Sequence, residues 1–247
     1  MTSAYWLYGR HACMAALGNP RRERFELRVT RNQEARLRQE AGPRVLEACP
    51  LSIVAPEAIA RVLPAGALHQ GMALKVRPLA PLTREDIPAL VACGGPLVML
   101  DQVSDPHNIG AIMRSAAAFG AIGIAMPERH SPTETGVMAK AASGALESLP
   151  RLCVPNMREA MATLKAHGYW CVGLDGRAAE PLHALPLTSR TALVLGSEGG
   201  GLRRLTAQTC DMLASLETEP AMPSLNVSNA AAVALYALHR ATGGARA

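Results

Sequence analysis

Short apolar runs alternate along the chain with longer stretches in which apolar positions return every three to four residues. The runs "FELRVT", "LSIVA" and "GMALKV" read as strands, because a strand buries alternate residues or all of a short run. "YWLYGRHACMAAL" (helical from Gly9), "QEARLRQEA" and "PEAIARVL" carry one apolar stripe each and read as helices. Residues 1–78 therefore predict a small α/β unit. The following "RPLAPLTREDIPALVACGGP" holds four prolines and a glycine pair, so residues 79–95 read as a linker with at most a short helix.

Alternation resumes over residues 96–247. Strands are expected at "LVMLDQV", "IGIAMP", "RLCVP", "YWCVGLD", "TALVLG" and "DMLASLE". Between and after them lie helical patterns at "HNIGAIMRSAAAFG", "TETGVMAKAASGA", "MREAMATLKAHG", "RRLTAQ" and "NAAAVALYALHRAT". Such alternation predicts an α/β fold, a mostly parallel sheet covered by helices on both faces. These rules alone give an ordinary unthreaded sheet.

Composition narrows the class. With 247 residues and 49% apolar content the chain can bury a sizeable core. The apolar stretches "AAAFGAIGIAM" and "AAAVALYAL" are shorter than a membrane span, and the N-terminus lacks a basic segment leading into an apolar one. No membrane association and a cytoplasmic location are expected. Six dispersed cysteines, without a C-x-x-C pair, indicate neither zinc nor redox chemistry, so no metal site is expected and most cysteines should be buried and reduced.

The charge of +5 is unevenly spread: residues 1–78 carry 12 Lys+Arg against 6 Asp+Glu, and residues 79–247 carry 13 against 14. Arg10, Arg21, Arg22, Arg24, Arg28, Arg31, Arg36, Arg38 and Arg44 crowd the first domain. A localised basic surface attracts a polyanion, so nucleic acid is the leading partner, with a solvated Glu/Arg helix face as the bland alternative.

"LGSEGGGLRRL" (195–205) bears three consecutive glycines but no lysine, and Glu198 occupies the stretch where a phosphate-binding loop needs a cation. A ligand offering hydroxyls, ring nitrogens or a positive charge suits this loop better than a phosphate.

Three segments now combine. "LDQVSDPHNIGAIMRSAAAFG" (100–120), "LVLGSEGGGLRRL" (193–205) and "PSLNVSNAAAVALY" (223–236) resemble, in order and spacing, the signature motifs of the SpoU/TrmH branch of the SPOUT RNA methyltransferases. "KAASGALE" (140–147) also resembles that branch, and "WLYGRHA" with "HQGMALKV" is similar to the N-terminal domain of the RlmB-like ribosomal RNA 2′-O-methyltransferases, so the likeness covers nearly the whole chain. The resemblance implies an N-terminal domain similar to ribosomal protein L30e, a C-terminal SPOUT domain with a trefoil knot, and a homodimer formed through that domain. It implies S-adenosylmethionine as cofactor and a guanosine ribose of large-subunit ribosomal RNA as substrate. Cofactor contacts fall on Leu195, Gly196, Glu198, Gly200, Leu216, Ser224 and Leu225, and catalytic roles on Asn108, Arg114, Glu198, Asn226 and Ser228.

Chemistry constrains those roles. Arg114 stays protonated and cannot readily serve as a base; a fixed cation beside the phosphate next to the target ribose is the consistent role. Asn108 also suits a helix N-cap, any one of Ser224, Asn226, Ser228 and Asn229 could cap the last helix, Asn229 is balanced between a role and none, and Glu198 could hold the loop, bind ribose or serve a subunit interface. His107, His183 and His239 lack ligand-like spacing. Pro220 and Pro223 stiffen "LETEPAMPSLNVS", where many relatives read "IPM-x-G", which leaves the adenine contacts open. A transfer RNA substrate and a noncatalytic RNA-binding module are the alternatives. A nicotinamide enzyme is disfavoured, since no G-x-G-x-x-G follows the first strand of the second domain.

Overall fold

A computed structural model describes residues 3–40, 49–129 and 131–243. Arg44, counted above in the basic region, lies outside them. The chain divides into two compact units: Met1–Ala80 with Thr133–Ser148, and Pro81–Pro132 with Leu149–Ala247.

The first unit runs β1 (Tyr5–Tyr8), α1 (Arg10–Gly18), β2 (Arg24–Val29), α2 (Arg31–Glu40), β3 (Leu51–Ile53), α3 (Pro56–Ala60) and β4 (Met72–Val76). Its sheet has the order β1-β4-β2-β3, antiparallel except for the β2/β3 pair. Strand alternation sends Leu7, Leu27, Val29, Leu74 and Val76 inward, each at most 1% exposed.

Residues 133–148, expected in the second domain, group with the first unit instead. The single helix expected there is two, α6 (Gly136–Ala142) and α7 (Ala145–Ser148), because Ser143 (φ 50°) and Gly144 (φ 101°) take positive φ and end the first. Buried charge ties the segment in. Arg22, 2% exposed, donates from Nη1 to Glu134 (2.7 Å) and from Nη2 to Glu147 (2.6 Å), while Asn19 Nδ2 donates to Glu147 at 2.8 Å and Tyr5 Oη to Glu134 at 2.8 Å. The basic excess belongs to this unit: it holds 13 Lys+Arg against 8 Asp+Glu, and the second unit 12 against 12.

The stretch expected as a linker is structured from residue 81 onward. Thr83 and Asp86 form a reciprocal capping box, and α4 (Ile87–Ala92) buries Ile87, Leu90 and Val91 in the core of the second unit. Beyond it come β5 (Leu97–Leu100), α5 (Pro106–Ala118), β6 (Gly123–Pro127), β7 (Arg151–Val154), α8 (Met157–Ala166) and β8 (Trp170–Leu174). The chain continues through β9 (Thr191–Leu195), α9 (Arg204–Thr209), β10 (Met212–Ala214) and α10 (Val227–Ala241).

The second sheet is six-stranded and parallel throughout, in the order β10-β8-β9-β5-β6-β7. The chain builds outward from β5 through β6 to β7, then returns to the other side of β5. The switch in direction falls at β5/β9, where parallel sheets open a crevice beyond their carboxyl ends. α10 buries Val227, Ala231, Ala234, Leu235 and Leu238 and packs on α5.

Candidate active site at the carboxyl ends of β5, β8 and β9

β9 ends at Leu195, and the glycine-rich loop begins one residue later. Ser197 and Gly201 exchange backbone hydrogen bonds of 3.1 and 2.9 Å, closing residues 197–201 into a small bridge. A Cβ on Gly196 would lie 2.1 Å from the Gly201 carbonyl carbon, so this glycine is required by the loop's own closure. Gly199 and Gly201 take φ of 77° and 63°, conformations that favour glycine. The glycines first read as room for a ligand thus also fold the loop on itself.

The loop is clamped from beneath. Asp101, directly after β5 and fully buried, accepts from the Arg203 backbone N–H at 3.0 Å and from its Nε at 2.8 Å, while its own N–H donates to Leu195 at 2.7 Å. Sequence reading missed this pair. The signal available was an aspartate at the carboxyl end of a parallel strand.

So held, Glu198 joins the three motifs. Its Oε1 accepts from Asn108 Nδ2 at 3.1 Å and from Asn226 Nδ2, and Asn226 Nδ2 also donates to Asn108 Oδ1 at 3.1 Å. Asn226 N-caps α10 by accepting from the Ser228 N–H at 2.8 Å, and Ser228 Oγ donates to the same oxygen at 2.6 Å. Asn108 lies in the first turn of α5, but that helix is capped by Asp105, which accepts from the His107 N–H at 3.0 Å. Asn108 is thereby free to serve the network rather than the cap.

Arg114 stands apart from this group. It is exposed on α5, with no hydrogen bond or ion pair to another described residue. Six residues beyond Asn108, it lies about 9 Å further along the helix.

Beside the network opens a cavity of about 720 Å³. Leu195, Gly196, Glu198, Gly200, Leu216, Ser224 and Leu225 all line it, as does Asn226; Asn108, Arg114 and Ser228 do not. Asp175, Gly176 and Arg177, just past β8, and Ala214, at the end of β10, also border it. Asp175 accepts from the Arg177 backbone N–H at 2.9 Å and from its guanidinium at 3.1 Å, which holds the carboxyl below its usual range. Two carboxylates against one arginine, with no lysine in the wall, suit a ligand with cationic and hydroxyl groups better than a polyphosphate. Pro223 lines the cavity, whereas Pro220 lies outside it.

The remaining polar candidates take other places. His183 pairs with Glu217 at 3.2 Å, and the His239 ring lies 5.8 Å from Phe119. Only half of the cysteines are buried, contrary to expectation: Cys13, Cys49 and Cys171 are, Cys93 is exposed, and Cys153 and Cys210 are intermediate.

Comparison with known proteins matches this arrangement. The model of the SpoU rRNA methylase family covers residues 95–236, and that of RNA 2′-O ribose methyltransferase substrate binding covers residues 6–82. The chain belongs to the SpoU rRNA methylase family. It is 35% identical to the 23S rRNA (guanosine-2′-O-)-methyltransferase RlmB of Yersinia pestis over 96% of this chain and 97% of that one. The same enzyme from Escherichia coli K12 is 40% identical over 69% of this chain and 71% of its own.

Among solved structures, the SpoU methyltransferase AviRb of Streptomyces viridochromogenes, in complex with AdoMet, superposes with a TM-score of 0.76 at 24% identity, covering 96% of this chain and 89% of that one. An AdoMet-bound rRNA methyltransferase of Sinorhizobium meliloti gives 0.73 at 21%, over 96% and 87%. Family members therefore share this fold.

Proposed function

We propose that this protein transfers a methyl group from S-adenosylmethionine to a ribose 2′-hydroxyl of a guanosine in 23S ribosomal RNA. The observation that carries the reading is the single Glu198 carboxylate joining the first and third signature motifs at the rim of a lysine-free cavity. The guanosine and the ribosomal target rest on relatives of that name, one of them 35% identical over 96% of the chain.

The cavity fits the cofactor by the chemistry of its walls. Leu195, Leu216 and Leu225 offer apolar surface, Gly196 and Gly200 accessible backbone, and Ser224 a hydroxyl. Bound there, S-adenosylmethionine supplies a methyl group on a sulfonium centre, for which Glu198 and Asp175 provide complementary charge.

A ribose hydroxyl is a weak nucleophile at neutral pH, so its placement and the loss of its proton set the rate. Arg114, unpaired among the described residues and permanently charged, grips the phosphate beside the target ribose and stabilises the negative charge growing on the 2′-oxygen. As the bond to the methyl carbon forms, the 2′-oxygen loses its proton to water or to the gripped phosphate. Asn108, Glu198 and Asn226 hold the helix bearing Arg114, the glycine loop and the third motif in register, and the Ser228 hydroxyl is fixed on Asn226.

The first unit, similar to ribosomal protein L30e in this reading, grips the RNA, and the second unit, residues 81–132 with 149–247, forms the methyltransferase domain with its last segment threaded as a trefoil knot. The protein acts in the cytoplasm as a homodimer. An exposed stripe on α10, with Val233 at 49% and Tyr236 at 53%, supports pairing through the second unit. No helix among the described residues is long and apolar enough to cross a membrane.

The test is transfer of labelled methyl to ribosomal and transfer RNA lacking modifications, followed by nucleoside analysis. Labelled 2′-O-methylguanosine in large-subunit RNA is expected. Label confined to transfer RNA replaces the substrate, and cofactor and RNA binding without transfer replaces the enzyme with a binding module.

A further inference from the structure

Tryptophan and phenylalanine are scarce here: the chain has two of each. Two of these four rings lie not in the core but on one partly exposed face of the first unit's sheet. The register shows how. Trp6 on β1 pairs with Lys75 on the central strand β4, and Lys75 with Glu26 on β2, so the three project from the same face. Two residues on, Arg28 pairs with Ala73, whose small side chain lets the guanidinium reach across β4 and stack 4.9 Å from the Trp6 ring centre. A bulge between Arg24 and Glu26 adds Phe25 to this strand, and its ring lies 5.6 Å from the Arg77 guanidinium.

The opposite face is ordinary core, with Leu7, Leu27, Leu74 and Val76 at most 1% exposed. An aliphatic face turned inward is what packing requires. The Trp6 face is covered in part, with Tyr8 6% and Ala73 0% exposed, but packing does not require the partly exposed aromatic rings beside them, each with a cation above it.

We infer that this face is a stacking platform for single-stranded RNA, with Trp6 and Phe25 each receiving a base and Arg28, Lys75 and Arg77 meeting the adjoining phosphates. Unpaired bases are recognised by aromatic and guanidinium planes, whereas a duplex keeps its bases stacked within itself and cannot use them. Charge agrees with that occupant, since the first unit carries 13 Lys+Arg against 8 Asp+Glu. Glu26 at 2.7 Å from Arg28 and Glu23 at 3.0 Å from Arg77 hold both guanidinium groups over their rings, while Lys75 has no ion pair among the described residues. The inference deepens the proposed function and rests on RNA being the substrate.

Trp6 provides its own reporter. Trp170, the second tryptophan, lies at the start of β8, opposite the end that meets the cavity, so Trp170→Phe leaves Trp6 as the single emitter. The full-length variant is titrated with a short single-stranded oligoribonucleotide and with a blunt duplex of the same sequence, each carrying a fluorescent end label. Trp6 emission is expected to fall saturably with the single strand, in step with label anisotropy, and to respond little to the duplex. Trp6→Ala or Phe25→Ala should weaken single-strand binding roughly tenfold, with Trp6→Phe restoring most of it. Lys75→Gln should lower the salt slope by about one. Cofactor affinity, measured in parallel, should not move.

Anisotropy showing strand binding while Trp6 emission stays flat overturns the platform, as does equal binding of the duplex. Absence of strand binding by either signal overturns it too. If methyl transfer to ribosomal RNA by the unaltered protein persists in these cases, the proposed function stands without the platform; failure of that transfer strikes the function itself.

Discussion

Glu198 Oε1 accepts a hydrogen bond from Asn108 Nδ2 at 3.1 Å across 90 residues of sequence, and the same oxygen receives Asn226 Nδ2. One carboxylate therefore sets the relative position of α5, the glycine loop and the start of α10. Glu198→Gln keeps the shape but removes the charge that both amides address. Because charge-assisted hydrogen bonds are about twice as strong as neutral ones, kcat should fall about tenfold or more, measured with both substrates saturating. An unchanged kcat would show that the network does not order the site.

Asp101 acts on the same loop from below. Asp101→Asn weakens its bonds to the Arg203 backbone and guanidinium, releasing the far end of residues 197–201. Cofactor affinity should drop about tenfold by calorimetry, given roughly 1.5–3 kcal/mol for a hydrogen bond to a charged group. Affinity equal to that of the unaltered protein would remove Asp101 from the positioning of the loop.

Arg22 serves stability rather than chemistry. Arg22→Met leaves Glu134 and Glu147 buried without their shared cation, a change that typically costs about 3–5 kcal/mol. Denaturant unfolding at neutral pH measures it, and a loss below about 1 kcal/mol would place the pair in the range of solvent-exposed ion pairs.

Burial pushes the Cys13, Cys171 and Cys210 thiols up to about 12, whereas Cys93 is exposed. Only the thiolate reacts, and at pH 8 about one in ten thousand of the raised thiols is ionised. A thiol reagent should label Cys93 in the native protein and the buried Cys13 and Cys171 only on unfolding. The folded values exceed the unfolded ones, so this contribution to stability is complete below about pH 8.5 and is lost as the pH climbs toward 12. Native Cys171 reacting as fast as Cys93 would contradict its burial.

Most elements were legible because their periodicity is local, although β1 (Tyr5–Tyr8) was read only as the lead-in to a helix, and the sequence motifs at Asn108, Glu198 and Asn226 already suggested a common site. What stayed hidden depends on distant partners. Nothing near Glu134 or Glu147 in the sequence announces Arg22, 112 and 125 residues away, so residues 133–148 could not be assigned to the first unit. "LTREDIPALVACGG" reads as a linker by its proline and glycine, yet Ile87, Leu90 and Val91 supply core. Gly196 had no visible reason to be glycine until the chain returned at Gly201. Asp175 and Arg177 became visible only once β8 was placed beside β9.

Arg114 serves the RNA and the cavity serves the cofactor. The direct measurement is single-turnover methyl transfer by Arg114→Ala with labelled cofactor already bound, beside the cofactor dissociation constant. The rate should fall by about a hundredfold or more with cofactor affinity unchanged, because Arg114 lies outside the cavity wall. A matching loss of cofactor affinity, or transfer at the original rate, would contradict this division.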